Sequence, residues 1–204
     1  LKNSNDVIAE AVFTTVTMSM SVKNYTTVLP TTDPTHLANN LIYGVFASES
    51  AIYAATLGGL SVYNGTSWTK YTTTLPAGLP THIPHNTVRS VYASGSALFA
   101  GTDAGLSVFN GNEWSTYSTT VPIADTHIGG NRVYGVFASG SKIYVATNGG
   151  LSVSSNLGAD WTTYNSSTPG FAASDTIYSI YASGSKIYAG TAGGLSVSID
   201  NGAS

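Results

Sequence analysis

Apolar positions recur along this chain in short runs of five to seven residues, each closed by a glycine-bearing polar pair. None of the runs has the i, i+3, i+4 spacing that a helix needs. Residues 133–153, VYGVFASGSKIYVATNGGLSV, show the unit, which returns as IYGVFASESAIYAATLGGLSV from Ile42, VRSVYASGSALFAGTDAGLSV from Val88 and IYSIYASGSKIYAGTAGGLSV from Ile177. The starting positions 42, 88, 133 and 177 are 46, 45 and 44 residues apart, a period that belongs to propeller blades, solenoids and arrays. Each unit predicts three strands, with tight turns at Gly-Ser (Glu49-Ser50 in the first copy) and at Gly-Gly or Ala-Gly. A fourth run, Trp68–Tyr71, Trp114–Tyr117 or Trp161–Tyr164, completes three of the units.

Four antiparallel strands per repeat of this length predict an all-β fold, a four-bladed β-propeller. The first run of each unit is apolar on both sides, as expected of an innermost strand covered on two faces. Its third position is always small (Gly44, Ser90, Gly135, Ser179), while the large rings Tyr53, Phe99, Tyr144 and Tyr188 fall on the next strand outward. That gradient suits a wheel that is narrow at its axis and wide at its rim.

The ends differ from the repeat. Residues 1–20 contain no copy of it, and the first of 22 glycines is Gly44. Val12, Val16, Met18 and Met20 alternate with Thr and Ser, which predicts an extra N-terminal strand with one apolar face; a short helical turn over residues 6–13 is the alternative. From residue 21 the chain reads as propeller. Tyr25 to Pro30 overlays Tyr71 to Pro76, so residues 22–28 read as a fourth strand without its first three, and the last unit has three strands without its fourth. The expectation is that residues 22–28 close the last blade, which would cover two sheet edges. The strand at residues 12–20 then has no place in a four-by-four wheel. It is expected to pack on its own disk or to be donated to a neighbouring subunit, and head-to-tail donation of that kind builds filaments or larger homo-oligomers.

With Gly78-Leu79-Pro80, Val88, Leu98-Phe99-Ala100-Gly101-Thr102 and Gly105-Leu106 in view, the repeat resembles the propeller repeat of two-component regulators. The resemblance covers residues 22–204. It implies the fold, and use in sensor ectodomains, surface lipoproteins or binding platforms.

Composition narrows the functions. Charged residues make up 8% of the chain and the formal net charge is −3, so there is no basic footprint for nucleic acid or for anionic membranes. No apolar run is long enough to span a membrane. The chain has no cysteine, and its polarity rests on Ser, Thr, Asn and Tyr, a bias that favours a secreted or cell-surface protein. The sequons at Asn24, Asn64 and Asn165 are candidate glycosylation sites. The connections between blades repeat as Thr-His-Leu/Ile with His36, His82 and His127, followed by Asn40, Asn86 and Asn131. Three histidines related by rotation are a candidate ligand or metal set, weighed against a loop role; no bound metal and no cofactor are expected. Trp68, Trp114 and Trp161 are candidate sugar-stacking platforms, weighed against packing between blades. Acidic residues are scattered, with no paired carboxylates and no nucleophile motif, so no enzyme chemistry is expected. The expected role is a structural, adhesive or assembly subunit that partners other protein subunits; the alternative is a carbohydrate-binding propeller with equivalent sites between blades.

Overall fold

The computed structural model describes residues 24–27, 37–74, 83–120, 127–171 and 174–202. The proposed donor strand, with Val12, Val16, Met18 and Met20, lies outside them, as do His36, His82 and residues 78–80.

Fifteen strands and no helix are present among the described residues. The first blade holds β1 (Ile42–Ala47), β2 (Ile52–Thr56), β3 (Gly59–Tyr63) and β4 (Trp68–Tyr71). The second holds β5 (Val88–Ser94), β6 (Ala97–Thr102), β7 (Gly105–Phe109) and β8 (Trp114–Tyr117). The third holds β9 (Val133–Ser139), β10 (Lys142–Thr147), β11 (Gly150–Ser154) and β12 (Thr162–Tyr164). The fourth holds β13 (Ile177–Ser183), β14 (Lys186–Thr191) and β15 (Gly194–Ser198). Every sheet is an antiparallel meander, so each strand pairs only with its chain neighbours. The inner strands begin at Ile42, Val88, Val133 and Ile177, where the repeat predicts them.

The repeated residues have identifiable work. In the T-x-x-G turns, Thr56, Thr102 and Thr147 are buried; each hydroxyl donates to the carbonyl of Gly59, Gly105 or Gly150 and accepts the N–H of Gly58, Ala104 or Gly149. The first glycine of the third strand has φ of 124–137° in these blades, a conformation that side chains rarely adopt. A Cβ there would also strike the backbone: it would lie 2.5 Å from the Tyr71 carbonyl oxygen at Gly59 and 2.3 Å from those of Tyr117 and Tyr164 at Gly105 and Gly150.

Successive blades stack through one repeated interface, β1 against β5, β5 against β9 and β9 against β13. Ala55 and Leu60 of the first blade pack with Val88, Val91, Leu98, Ala100 and Trp114 of the second, and equivalent sets join the later pairs. Near the axis the approach is backbone to backbone, since a Cβ on Gly135 would stand 3.3 Å from the Ser179 Cα and from the Tyr178 carbonyl oxygen. That is the physical reason for the small third position. A row of rings, Phe46, Tyr92, Phe137 and Tyr181, runs through all four blades with centroids 4.9–5.1 Å apart.

Among the described residues the outer faces of the first and fourth blades have no blade against them. Val45 on β1 is 72% exposed, whereas Val91 and Val136 at the same register are 8% exposed. On the far side Leu195 of β15 is 71% exposed, against 0, 0 and 4% for Leu60, Leu106 and Leu151.

Candidate functional site

Three places carry chemistry beyond the fold: the axial rim, the connections between blades, and the free face and edge of the fourth blade.

At the axial rim each inner strand skips a pairing between its first and third residues, placing Tyr43, Arg89, Tyr134 and Tyr178 at the irregular step. Such bulges re-aim a side chain. Here they line the four residues up: the Arg89 guanidinium carbon lies 5.3 Å from the Tyr43 ring centroid and 5.6 Å from that of Tyr134, and Tyr134 meets Tyr178 edge-on at 5.3 Å. Arg89 donates to Asp103 from Nε and from Nη2, and Arg132 Nε approaches the same carboxylate at 3.2 Å. These are both of the arginines in the chain. Burial pulls the Asp103 carboxyl upward, but the hydrogen bond and charge of Arg89, then Arg132, outweigh it and hold the pKa below the ordinary value. The Arg89 guanidinium moves up, chiefly through its hydrogen bond to Asp103. Sequence reasoning passed over this row, although the second position of each copy reads Tyr, Arg, Tyr, Tyr.

In the connections the buried members are the residues after the histidines: Leu37, Ile83 and Ile128 are core. The asparagines that follow bind the preceding blade's exit, since Asn40, Asn86 and Asn131 accept the N–H of Thr27, Thr73 and Thr119 at 2.7–2.8 Å. The fourth connection does the same with Asp175, which accepts from Ser166 N. His127 is partly buried and its backbone carbonyl accepts from Thr163 Oγ1 at 3.4 Å. His36 and His82 lie outside the described residues, so of the rotational set only His127 is placed. No group of three metal-ligating side chains occurs among the described residues. Asn24 and Asn64 are exposed, and Asn165 is half-buried. The Oδ1 atoms of Asn64 and Asn165 hold turns, accepting from Thr66 N at 3.0 Å and from Ser167 N at 3.0 Å.

Trp68, Trp114 and Trp161 are 4–5% exposed. Each makes a T-shaped contact with a tyrosine from the preceding strand-four segment, Tyr25, Tyr71 or Tyr117, with centroids 5.3–5.4 Å apart and planes at 65–72°. At this burial the three rings pack between blades. Tyr25 thus stands to the first blade as Tyr71 stands to the second, and this is what is described of the segment expected to complete the fourth blade.

In the fourth blade β15 is the edge strand among the described residues. Beside it lies a cavity of about 200 Å³ between Leu151 and Tyr164 of the third blade and Ile187, Ala189, Ser196 and Ser198 of the fourth.

No family model matches the chain, and no curated protein does. Among solved structures, an extracellular domain assigned to a hybrid two-component system of B. thetaiotaomicron superposes with a TM-score of 0.68 at 25% identity, over 80% of this chain and 24% of that one. The computationally designed Ika4 protein superposes at 0.55 with 10% identity, over 87% of this chain and 98% of its own. An ancestral GH74 enzyme does so at 0.55 with 20% identity, over 81% and 23%. The last two show the fold alone. The chain spans about a quarter of the length of the bacterial domain and of the enzyme.

Proposed function

We propose, for a chain that is a β-propeller repeat protein resembling those of two-component regulators, a non-enzymatic role as an extracytoplasmic assembly subunit whose end blades join it to neighbouring protein. The observation that carries this reading is the contrast in exposure between equivalent residues. Val45 and Leu195 are open where their counterparts in the inner blades are buried. Tyr181 and Val197 extend the open face of the fourth blade, and contiguous apolar surface rimmed by polar residues marks interaction sites.

The two faces complement each other by construction. The face of the first blade that carries Val45 has the pattern that the second blade presents to the first, and the face with Leu195 has the pattern that the third presents to the fourth. Joining them repeats an interface the chain already makes three times. The contact is heterologous, so copies close into a ring or run on as a filament according to the rotation at each step. Donation of the strand at residues 12–20 would add to this contact. The extracellular origin of the two-component neighbour supports the location.

Light scattering across a concentration series tests the reading. The intact chain should form assemblies, Val45→Asp and Leu195→Asp should each give folded single particles, and removal of residues 1–20 should lower the assembled fraction. An intact chain that stays a monodisperse monomer at high concentration overturns it.

A further inference from the structure

The charged groups of the axial rim gather where the fold does not require them. In every blade the residue after the turn threonine donates its N–H to the carbonyl just before the inner strand: Leu57 to Leu41, Asp103 to Thr87, Asn148 to Arg132 and Ala192 to Thr176, at 2.9–3.2 Å. Side chains take no part in that bond, and uncharged residues serve at most of these positions. The junction of the second and third blades nevertheless places both arginines of the chain on the single carboxylate of Asp103. Arg89 is fully engaged, held by that carboxylate and by the Tyr43 and Tyr134 rings. Arg132 is not: its Nε lies 3.2 Å from Asp103, its side chain is 51% exposed, and its two terminal nitrogens make no hydrogen bond among the described residues. His85 lies near enough for its charge to act on Asp103. Its Nδ1 accepts the Thr87 N–H at 3.0 Å, which leaves Nε2 as a donor turned to other use. Two guanidiniums on one carboxylate leave one positive charge over, in a chain whose net charge is −3.

We infer that this corner binds a small organic acid, with its carboxylate on the free edge of Arg132 and a flat apolar body against the tyrosines of the row. A guanidinium fork matches the two oxygens of a carboxylate. The single surplus positive charge is balanced by a monoanion and overrun by a phosphate dianion. An exposed ion pair by itself contributes little, so the rings decide which acid is held. Tyr134, half-buried beside Arg89 and in T-shaped contact with Tyr178 at 5.3 Å, supplies an apolar wall next to the charge. Asp103 is a positioning residue: it holds the two guanidiniums side by side and does not touch the ligand. The corner belongs to the second and third blades, with the first and fourth flanking it, and it goes beyond the assembly role, which uses the outer faces of the end blades.

The test uses the full chain labelled with nitrogen-15, whose two arginines give two Nε–H signals in a proton–nitrogen correlation spectrum. Sodium benzoate is the probe. Both signals are expected to shift saturably with one Kd, of about 1 mM or tighter. Benzamide, the neutral counterpart, should shift neither, and acetate and inorganic phosphate should each bind at least about fivefold more weakly than benzoate. Arg132→Gln should weaken benzoate at least about tenfold, read on the remaining Arg89 signal, while Lys70→Gln, the same change of charge on the outer strand of the first blade, binds as the parent does. Because binding is read first on the parent, a variant that fails to fold leaves the outcome decided. Shifts that do not saturate, or that sodium chloride reproduces, reduce the corner to a salt-screened latch between blades and overturn the site. Acetate or phosphate binding as tightly as benzoate overturns the ligand class, and an Arg132→Gln chain that binds like the parent overturns the place.

Discussion

At the scale of single residues, the repeat is enforced by hydrogen bonds that each cost something to lose, and one copy shows what happens when the donor is missing. Ser61 Oγ accepts the N–H of Ala38 at 2.9 Å, and Ser152 Oγ that of Gly129 at 2.8 Å. At Ser107 the corresponding loop residue is Pro84, which has no N–H to give, and the buried Ser107 hydroxyl has no partner among the described residues. Ser107→Ala should therefore change stability by less than about 0.5 kcal/mol, whereas Ser152→Ala should cost about 1–3 kcal/mol because it orphans a loop N–H. Urea denaturation of the two variants measures the difference. Asp103 gives a second residue-level expectation. Its native pKa lies below its unfolded value of about 3.8, so its contribution is complete above that pH and disappears as the pH falls through the native value. A melting series from pH 6 downward should show Asp103→Asn losing its deficit against the parent below about pH 3.8. A deficit that persists at low pH would mean that charge is not the cause.

At the scale of the element, the same motif has different consequences according to what lies beside it. Gly150 and Gly194 share a φ near 125°, so alanine at either pays about 1–3 kcal/mol for the backbone conformation alone. Only Gly150 adds a collision, with the Tyr164 carbonyl oxygen. Gly150→Ala should thus lower the melting temperature well beyond the loss seen for Gly194→Ala. Equal losses would mean that the β15 edge is covered in solution. The inner strands show the same principle: the bulge recurs in all four, but only the second blade carries arginine there, so a geometric device common to the repeat becomes a charged site in one copy through Asp103 and Arg132.

At the scale of the whole molecule, position in the row of blades decides how much a given side chain is worth. Val91→Asp and Leu106→Asp place an unpaired charge in the core and should each cost more than about 3 kcal/mol, while Val45→Asp and Leu195→Asp should be tolerated. Thermal melts of the four variants check this, and a Val45→Asp chain as unstable as Val91→Asp would show that the first blade's outer face is covered within the monomer. Tyr25 already covers the rim of that face through its contacts with Trp68 and Tyr63, which leaves the axial half around Val45 open.

The strands, their order and the residues that build each turn were legible in the chain alone, because hairpin chemistry and alternation are local: Thr147 and Gly150 lie three residues apart and need no distant partner to be recognised. The small third position was legible for the same reason, since repetition itself exposed it. The Tyr43–Arg89–Tyr134–Tyr178 row was not, because a bulge has no sequence signature and the four residues meet only once the blades are stacked. Nor could the repeat distinguish Val45 from Val91 or Leu195 from Leu106. Identical local sequence is buried or open according to whether a neighbouring blade is present, and burial is a property of the neighbour, which only the tertiary structure supplies.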